Sequence, residues 1–87
     1  MKSEVVAEAL EHLVQGIVMH PEDVRVRDRE LRHGRMIEVR VNPEDIGKVI
    51  GRQGRTATAL RTVVQALAGR DHVRIDFVDV DRRSNRR

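Results

Sequence analysis

The chain has 87 residues, 39% of them hydrophobic, and a net charge of +3 at neutral pH. That length provides one small domain and excludes a second. The sequence has no cysteine, which excludes disulfides and thiolate metal sites. Phe77 is the only aromatic residue, which disfavours RRM and cold-shock surfaces, because these stack bases on several exposed rings.

The four histidines are scattered without the spacing of metal ligands, so we expect no metal. We also expect no organic cofactor. The first residues lead directly into an amphipathic pattern rather than an apolar run. This pattern predicts neither a signal peptide nor a membrane span. We therefore expect a cytoplasmic protein without a membrane partner.

The first predicted element is an amphipathic helix near the N-terminus. Its apolar residues keep helical spacing, and they are Val6, Leu10, Leu13, Val14, Ile17 and Val18. The pair His20 and Pro21 is expected to end the helix, because the residue before a proline is pushed out of the helical region. Next, residues 24–27 and 37–41 alternate apolar and charged side chains around a turn at residues 32–34, which predicts a β-hairpin.

A second helix is predicted to start at residues 42–45, whose sequence is Asn-Pro-Glu-Asp. These residues supply a capping asparagine, a proline at the first helical position and acids at the positive end of the helix dipole. Ile46, Val49 and Ile50 would form the buried face of this short helix. Gly51 should end it.

Beyond the following loop, apolar residues at helical spacing predict a longer helix that ends at Gly69. Residues 73–78 predict a third strand, and residues 81–87 are expected to be a disordered basic tail. The order α-β-β-α-α-β predicts an α+β fold, a three-stranded mixed sheet covered by three helices on one face. Because a helical crossover joins the second and third strands, these two should be parallel neighbours.

Positive charge is concentrated around the loop between the last two helices. Residues 46–87 contain ten basic and four acidic residues, against seven and ten in residues 1–45, and no acid occurs from residue 46 to residue 70. The loop itself has a glycine at each end, which lets the backbone turn with its N–H groups pointing outward. The cations around it are Lys48, Arg52, Arg55, Arg61 and Arg70. The sequence therefore predicts a binding site for a phosphate chain.

The segment IGKVIGRQGR at residues 46–55 resembles the signature of the KH domain, in which an isoleucine-glycine helix runs into a Gly-x-x-Gly loop. The predicted element order matches the prokaryotic, type II form. In size, and in the sequence IGRQGRTA at residues 50–57, the chain is similar to the small bacterial single-KH RNA-binding proteins of the KhpA type. The resemblance spans residues 3–80, which we expect to be one KH domain.

This resemblance implies that the loop clamps about four nucleotides of single-stranded RNA. The RNA-binding residues that it implies are Gly47, Lys48, Ile50, Gly51, Arg52, Gln53, Gly54 and Arg55. It also implies a shallow apolar groove that discriminates bases, formed here by Ile46, Ile50 and the strand at residues 36–41. The small Gly47 would leave room for a base in that groove, or would pack closely against the sheet.

The resemblance further implies a cytoplasmic RNA chaperone or post-transcriptional regulator, linked to cell shape and cell-wall biogenesis. Its partner would be a second copy of the chain, in a homodimer, or a protein of the KhpB (Jag) type. The glycines at residues 47–54 fit neither a P-loop nor a dinucleotide-binding fingerprint, and no carboxylate or histidine is paired near the loop. We therefore predict no enzymatic activity and no small-molecule substrate.

Two alternatives remain open. A helix-turn-helix DNA-binding protein also places two helices around a short turn, although alanines predominate where its recognition helix should carry polar base-reading side chains. A purely structural dimerisation module could use a second apolar face on the first helix, formed by Val5, Val6, Ala9, Leu10, Leu13 and Val14. Lys48 and Arg55 could equally be solvated surface cations, and the basic tail could add phosphate attraction or only solubility.

Overall fold

Residues 3–80 are described by a computed structural model, and they form three helices and one three-stranded sheet. In chain order the elements are α1 (Ser3–Gln15), β1 (Arg25–Leu31), β2 (Gly34–Val41), α2 (Ile46–Ile50), α3 (Arg55–Ala68) and β3 (Val73–Asp79). The α+β class and the order α-β-β-α-α-β are confirmed. The tail at residues 81–87, predicted to be disordered, lies outside the described part of the chain.

The sheet has β2 at its centre, between an antiparallel β1 and a parallel β3. α2 and α3 connect the parallel pair, as a crossover between parallel strands requires. Side chains alternate along each strand, so one set of residues points toward the helices and the other set points to the opposite face. On the helical side, β2 contributes Ile37, Val39 and Val41, none of them more than 1% exposed.

The core between helices and sheet is aliphatic, as the shortage of aromatic residues predicts. The helical residues buried in it are Val6, Leu10, Val14, Val49, Leu60 and Val64. Burying one such side chain contributes about 1.5–3 kcal/mol. The predicted apolar face of α1 was wrong at Leu13 and Ile17, which are 43% and 37% exposed.

The first helix ends earlier than the sequence predicts, at Gln15 rather than near His20. Gly16 is the cause, because glycine disfavours continuation of a helix. Its N–H group donates to both His12 O and Leu13 O at 3.2 Å, which closes the last turn.

The hairpin is longer than the alternating residues predict. β1 continues through residues 28–31 to a two-residue turn before Gly34. Three of these four residues are charged and interrupt the apolar alternation that predicts a strand. Backbone hydrogen bonds form the ladder whatever the side chains are, so charged residues are tolerated on this edge strand. Arg35 Nε also donates to Asp28 Oδ1 at 3.1 Å across the pair, which stabilises the extension.

Candidate nucleic-acid interface

The start of α2 is held by the capping residues that the sequence predicts. Asn42 Oδ1 accepts a hydrogen bond from the Glu44 N–H group at 2.8 Å, and Pro43 occupies the first position of a single 3-10 turn. Asn42 also donates through Nδ2 to Asp23 Oδ2 at 2.9 Å. The cap therefore connects this turn to the segment that precedes β1.

Asp45 makes a second, stronger connection at the same place. Its side chain is fully buried. Its Oδ1 accepts from the Met19 N–H group at 3.0 Å and its Oδ2 accepts from the His20 N–H group at 2.9 Å. A buried carboxylate is tolerated when hydrogen bonds satisfy it, so Asp45 fixes the start of α2 against the connection between α1 and β1.

Gly51 forms the sharp bend at the other end of α2. Its backbone lies at φ 79° and ψ 170°, a region essentially restricted to glycine. A β-carbon added at this position would lie 2.8 Å from the Thr56 backbone nitrogen and would also collide with the Thr56 side chain. Only glycine therefore brings the loop this close to the first turn of α3.

The rest of the loop also depends on left-handed backbone. Gln53 has φ 57° and Gly54 has φ 73°, and the Gly54 N–H group donates to Gly51 O at 3.1 Å. The side chains of Arg52 and Gln53 are exposed. Directly afterwards α3 begins, and the N–H groups of its first turn carry the positive end of the helix dipole. The loop and this helix start therefore form one electropositive segment, in which Gly51 and Gly54 are half-buried and the two side chains between them are exposed.

Three cations next to this loop have no carboxylate partner in the described part of the chain. Lys48, Arg52 and Arg55 are exposed, and none of them takes part in an ion pair within the described residues 3–80. Arg55 Nη2 donates to Gln53 Oε1 at 3.2 Å, which aligns the two side chains without neutralising the charge. By contrast, Arg70 lies beyond the opposite end of α3, roughly 20 Å away at 1.5 Å per residue, so it does not belong to this cluster.

A shallow open groove adjoins the loop, and the strand that borders it differs from the predicted one. Its lining residues are Ile50, Arg61, Asp76, Phe77 and Val78. The predicted lining by residues 36–41 was wrong, because β2 is the central strand and its residues Ile37, Val39 and Val41 are buried in the core. The edge strand β3 lies beside α2 instead.

Phe77 is a groove residue that the sequence pattern did not predict, and Arg61, predicted as one of the cations around the loop, lines this groove. The Arg61 guanidinium carbon lies 5.5 Å from the centre of the Phe77 ring, which is a cation–π distance. Phe77 itself is half-buried. The signal was present in the sequence, because a strand that returns parallel to β2 after a helical crossover must lie at the sheet edge beside those helices.

Gly47 lies on the exposed side of α2, and the structure distinguishes between its two predicted roles. A β-carbon added at this position would meet nothing within 4 Å. Close packing against the sheet is therefore wrong. The open space leaves room for a ligand beside Ile46 and Ile50, which are half-buried.

His20 lies at the far end of α2 from the loop. Its Nε2 is 3.0 Å from Glu44 Oε1, and that hydrogen bond is the main reason that the pKa of His20 is raised above 6.5. Among residues 3–80, one group of side chains could hold a metal ion by spacing alone. The possible ligand atoms of His20, Glu22 and Asp23 lie within 4.8 Å of one another. His20 already bonds to Glu44 and Asp23 to Asn42, so both have structural roles.

Comparison with known families shows what kind of domain carries this loop. The model of the family described as KhpA/KhpB, KH domain matches residues 7–80. The chain belongs to the KhpA/KhpB KH domain family. This is not an enzyme family, in agreement with the predicted lack of catalysis. Within the described residues, no helix is long and apolar enough to cross a membrane.

Relatives within the KhpA/KhpB family are similar over nearly their whole length. The RNA-binding protein KhpA of Streptomyces coelicolor is 69% identical over 74 residues, which cover 85% of this chain and 92% of the relative. The RNA-binding protein KhpA of Mycobacterium tuberculosis H37Rv is 60% identical over 79 residues, which cover 91% of this chain and 98% of the relative. The protein of that name from Halalkalibacterium halodurans is 50% identical over 72 residues, which cover 80% of this chain and 95% of the relative.

Proposed function

We propose that this chain binds single-stranded RNA by clamping the sugar-phosphate backbone at the loop of residues 51–54. The observation that carries the proposal is a glycine-framed bend at the start of α3, with exposed side chains at Arg52 and Gln53 and three nearby cations that form no ion pair within residues 3–80. The names of the relatives, RNA-binding protein KhpA, support it. The proposed contact residues are Gly47, Lys48, Ile50, Gly51, Arg52, Gln53, Gly54 and Arg55.

In this mechanism the loop binds the sugar-phosphate backbone of the RNA, and the groove binds its bases. Gly51 and Gly54 let phosphates approach the main chain, because no β-carbon stands in the way. The N–H groups at the start of α3 donate to the same anions, and Lys48 and Arg55 bind the neighbouring phosphates. The bases then lie over Gly47 and along the groove that Ile50 forms with β3.

A single domain of this kind should bind RNA weakly and with little sequence preference. Its groove offers one half-buried aromatic ring, whereas base stacking on an aromatic side chain contributes about 1–3 kcal/mol per base. We therefore propose that residues 3–80 act together with a second KH domain, in a homodimer or with a KhpB-type partner, as an RNA chaperone or regulator. Two linked domains gain affinity through effective concentration.

The alternative of a purely structural dimerisation module is weakened by the packing of α1. Half of its proposed contact face is committed to the core, because Val6, Leu10 and Val14 are at most 1% exposed. Of that face, Val5 and Leu13 remain exposed at 44% and 43%. Two partly exposed side chains provide a small patch, and such patches are ordinary on monomeric proteins.

The test replaces Arg52 and Gln53 together by aspartate. Both side chains are exposed, so the fold should persist, and the new anions should repel phosphate. We expect binding to a single-stranded tetranucleotide to weaken about 100-fold or more, since charge-assisted hydrogen bonds contribute about 1.5–3 kcal/mol each. Fluorescence anisotropy measures the binding, and circular dichroism checks the fold.

A matched control carries the same change in charge away from the loop. Arg70→Asp with Ala66→Glu alters two exposed positions near the far end of α3. It should leave tetranucleotide binding within about twofold of the parent, because screening removes interactions beyond a Debye length. Equal binding by the loop variant and the parent would show that the RNA contact is elsewhere.

A further inference from the structure

The face of the sheet that points away from the helices carries an ordered set of arginines. Strand alternation and register place its residues in three rows across β1, β2 and β3. The rows are Arg29, Met36 and Arg74, then Arg27, Glu38 and Asp76, then Arg25, Arg40 and Val78. We call its five arginines, Arg25, Arg27, Arg29, Arg40 and Arg74, the basic sheet face.

Positive charge dominates this face. Five arginines oppose the two carboxylates of Glu38 and Asp76. Arg40 Nη2 lies 3.3 Å from Glu38 Oε1, and these side chains are only 15% and 18% exposed, so this pair largely neutralises itself. Asp76 is half-buried beside Glu38. Four exposed arginines then face a single remaining carboxylate.

These exposed arginines are available to a ligand. Arg27, Arg29 and Arg74 form no ion pair within residues 3–80. Arg25 Nη1 donates to Glu22 O and Val24 O at 2.9 Å. These bonds orient its guanidinium, and Arg25 forms no ion pair within the same residues. Arg25, Arg27 and Arg29 follow one another on the edge strand about 7 Å apart, at two residues per step.

This arrangement fits a regularly charged polymer better than a protein surface. Protein interfaces are depleted of charge at their centre and have an apolar core. Here the apolar residues between the arginines are Met36 and Val78, and both are half-buried. Guanidinium groups bind phosphates in bidentate geometry, and a row of them along one strand can follow a phosphate backbone without reading bases.

We infer that the basic sheet face is a second binding surface for RNA phosphates, on the opposite side of the sheet from the Gly-x-x-Gly loop. This inference rests on the proposed function for the identity of the ligand. The loop lies in the helical layer, and its groove lies at the β3 edge of the sheet, where Asp76 and Val78 of the other face also line it. The row of Arg25, Arg27 and Arg29 lies on β1, at the opposite edge of the sheet and on the face away from the helices. One domain can therefore hold two RNA segments, one selected by the loop and one held by charge alone.

The first experiment uses the aspartate variant of the loop, Arg52→Asp with Gln53→Asp. It should lose tetranucleotide binding but keep salt-sensitive binding to a longer single-stranded RNA. Loss of binding at every RNA length, in a variant that remains folded by circular dichroism, would overturn the second surface. Tetranucleotide binding that survives the loop change would contradict the proposed loop function instead, and the second surface would then be judged by the next experiment.

The second experiment neutralises the row on β1 with Arg27→Gln and Arg29→Gln. The slope of log K against log salt for the longer RNA should become shallower by about 1.4, at about 0.7 per phosphate contact on a single strand. Tetranucleotide affinity should stay within about twofold of the parent, and the rate of annealing of two complementary RNAs should fall. The control Arg70→Glu makes the same change in net charge and should keep the parental slope and annealing rate.

An unchanged salt slope in the double glutamine variant would overturn the inference. If sedimentation velocity showed that the same variant had also changed its self-association, the face would be assigned to protein contact instead. A slope that falls equally in Arg70→Glu would show that net charge, rather than this surface, governs the binding of long RNA, and would also overturn it.

Discussion

The two ends of α2 differ in how their polar groups are satisfied. At the start, the buried Asp45 carboxylate accepts two backbone N–H groups from the segment after α1. At the end, the bend at Gly51 leads into exposed cations that form no ion pair within residues 3–80. A helix of five residues can therefore be fixed at one end while its other end stays open to a ligand.

The largest expected effect is at the fixed end. Asp45→Ala removes the acceptor of two buried N–H groups, and we expect the free energy of unfolding to fall by about 3–4 kcal/mol, because bonds to a charged group contribute about 1.5–3 kcal/mol each. Urea denaturation measures this. The neighbouring Glu44 is exposed, so Glu44→Ala should cost far less; equal losses would contradict the structural role of Asp45.

Next in size is the bend itself. Gly51→Ala should lower the free energy of unfolding by about 2–3 kcal/mol, since the backbone region alone costs about 1–3 kcal/mol and the new methyl group meets Thr56. Gly54→Ala should cost about 1–2 kcal/mol, the penalty for left-handed backbone, because no atom lies within 4 Å of its added β-carbon. Chemical denaturation of both variants tests this order, and a reversed order would show that the Gly51 contact is relieved cheaply.

A smaller change separates stability from binding on α2. Gly47→Ala should stabilise the fold by about 0.5–1 kcal/mol, because alanine is favoured in a helix and the methyl group enters open space. It should weaken RNA binding, since that space is where we place a base. Thermal unfolding and anisotropy on one sample measure both effects. Unchanged RNA affinity in the stabilised variant would remove Gly47 from the binding site.

The smallest effect concerns pH at the fixed end. The hydrogen bond that His20 donates to the Glu44 carboxylate raises the pKa of His20 above 6.5 in the folded protein. Folding therefore gains stability below that unfolded value, and the gain disappears as the pH rises through the folded pKa. His20→Gln should remove this part of the pH dependence in urea titrations, whereas His33→Gln in the exposed turn should preserve it. A pH profile unaffected by His20→Gln would contradict this contribution.

Local signals in the sequence predicted the elements, the element order and the loop. Asn42, Gly51 and Gly69 marked helix ends, because each acts locally: Asn42 caps through its side chain, and the two glycines adopt positive φ. The missed features depend on the tertiary structure. The bonds that Asp45 makes to Met19 and His20 join segments some 25 residues apart, and no local pattern encodes them. The groove was assigned to β2 because apolar alternation marks a strand but gives no position within the sheet.

Phe77 can serve as a natural NMR probe of the groove. It is the only aromatic side chain in the chain, and its ring lies under Arg61 at the margin of the groove. Aromatic-proton resonances from phenylalanine therefore come from one ring, free of overlap with tryptophan or tyrosine. Nuclear magnetic resonance of this ring can follow events at the groove, without an introduced label.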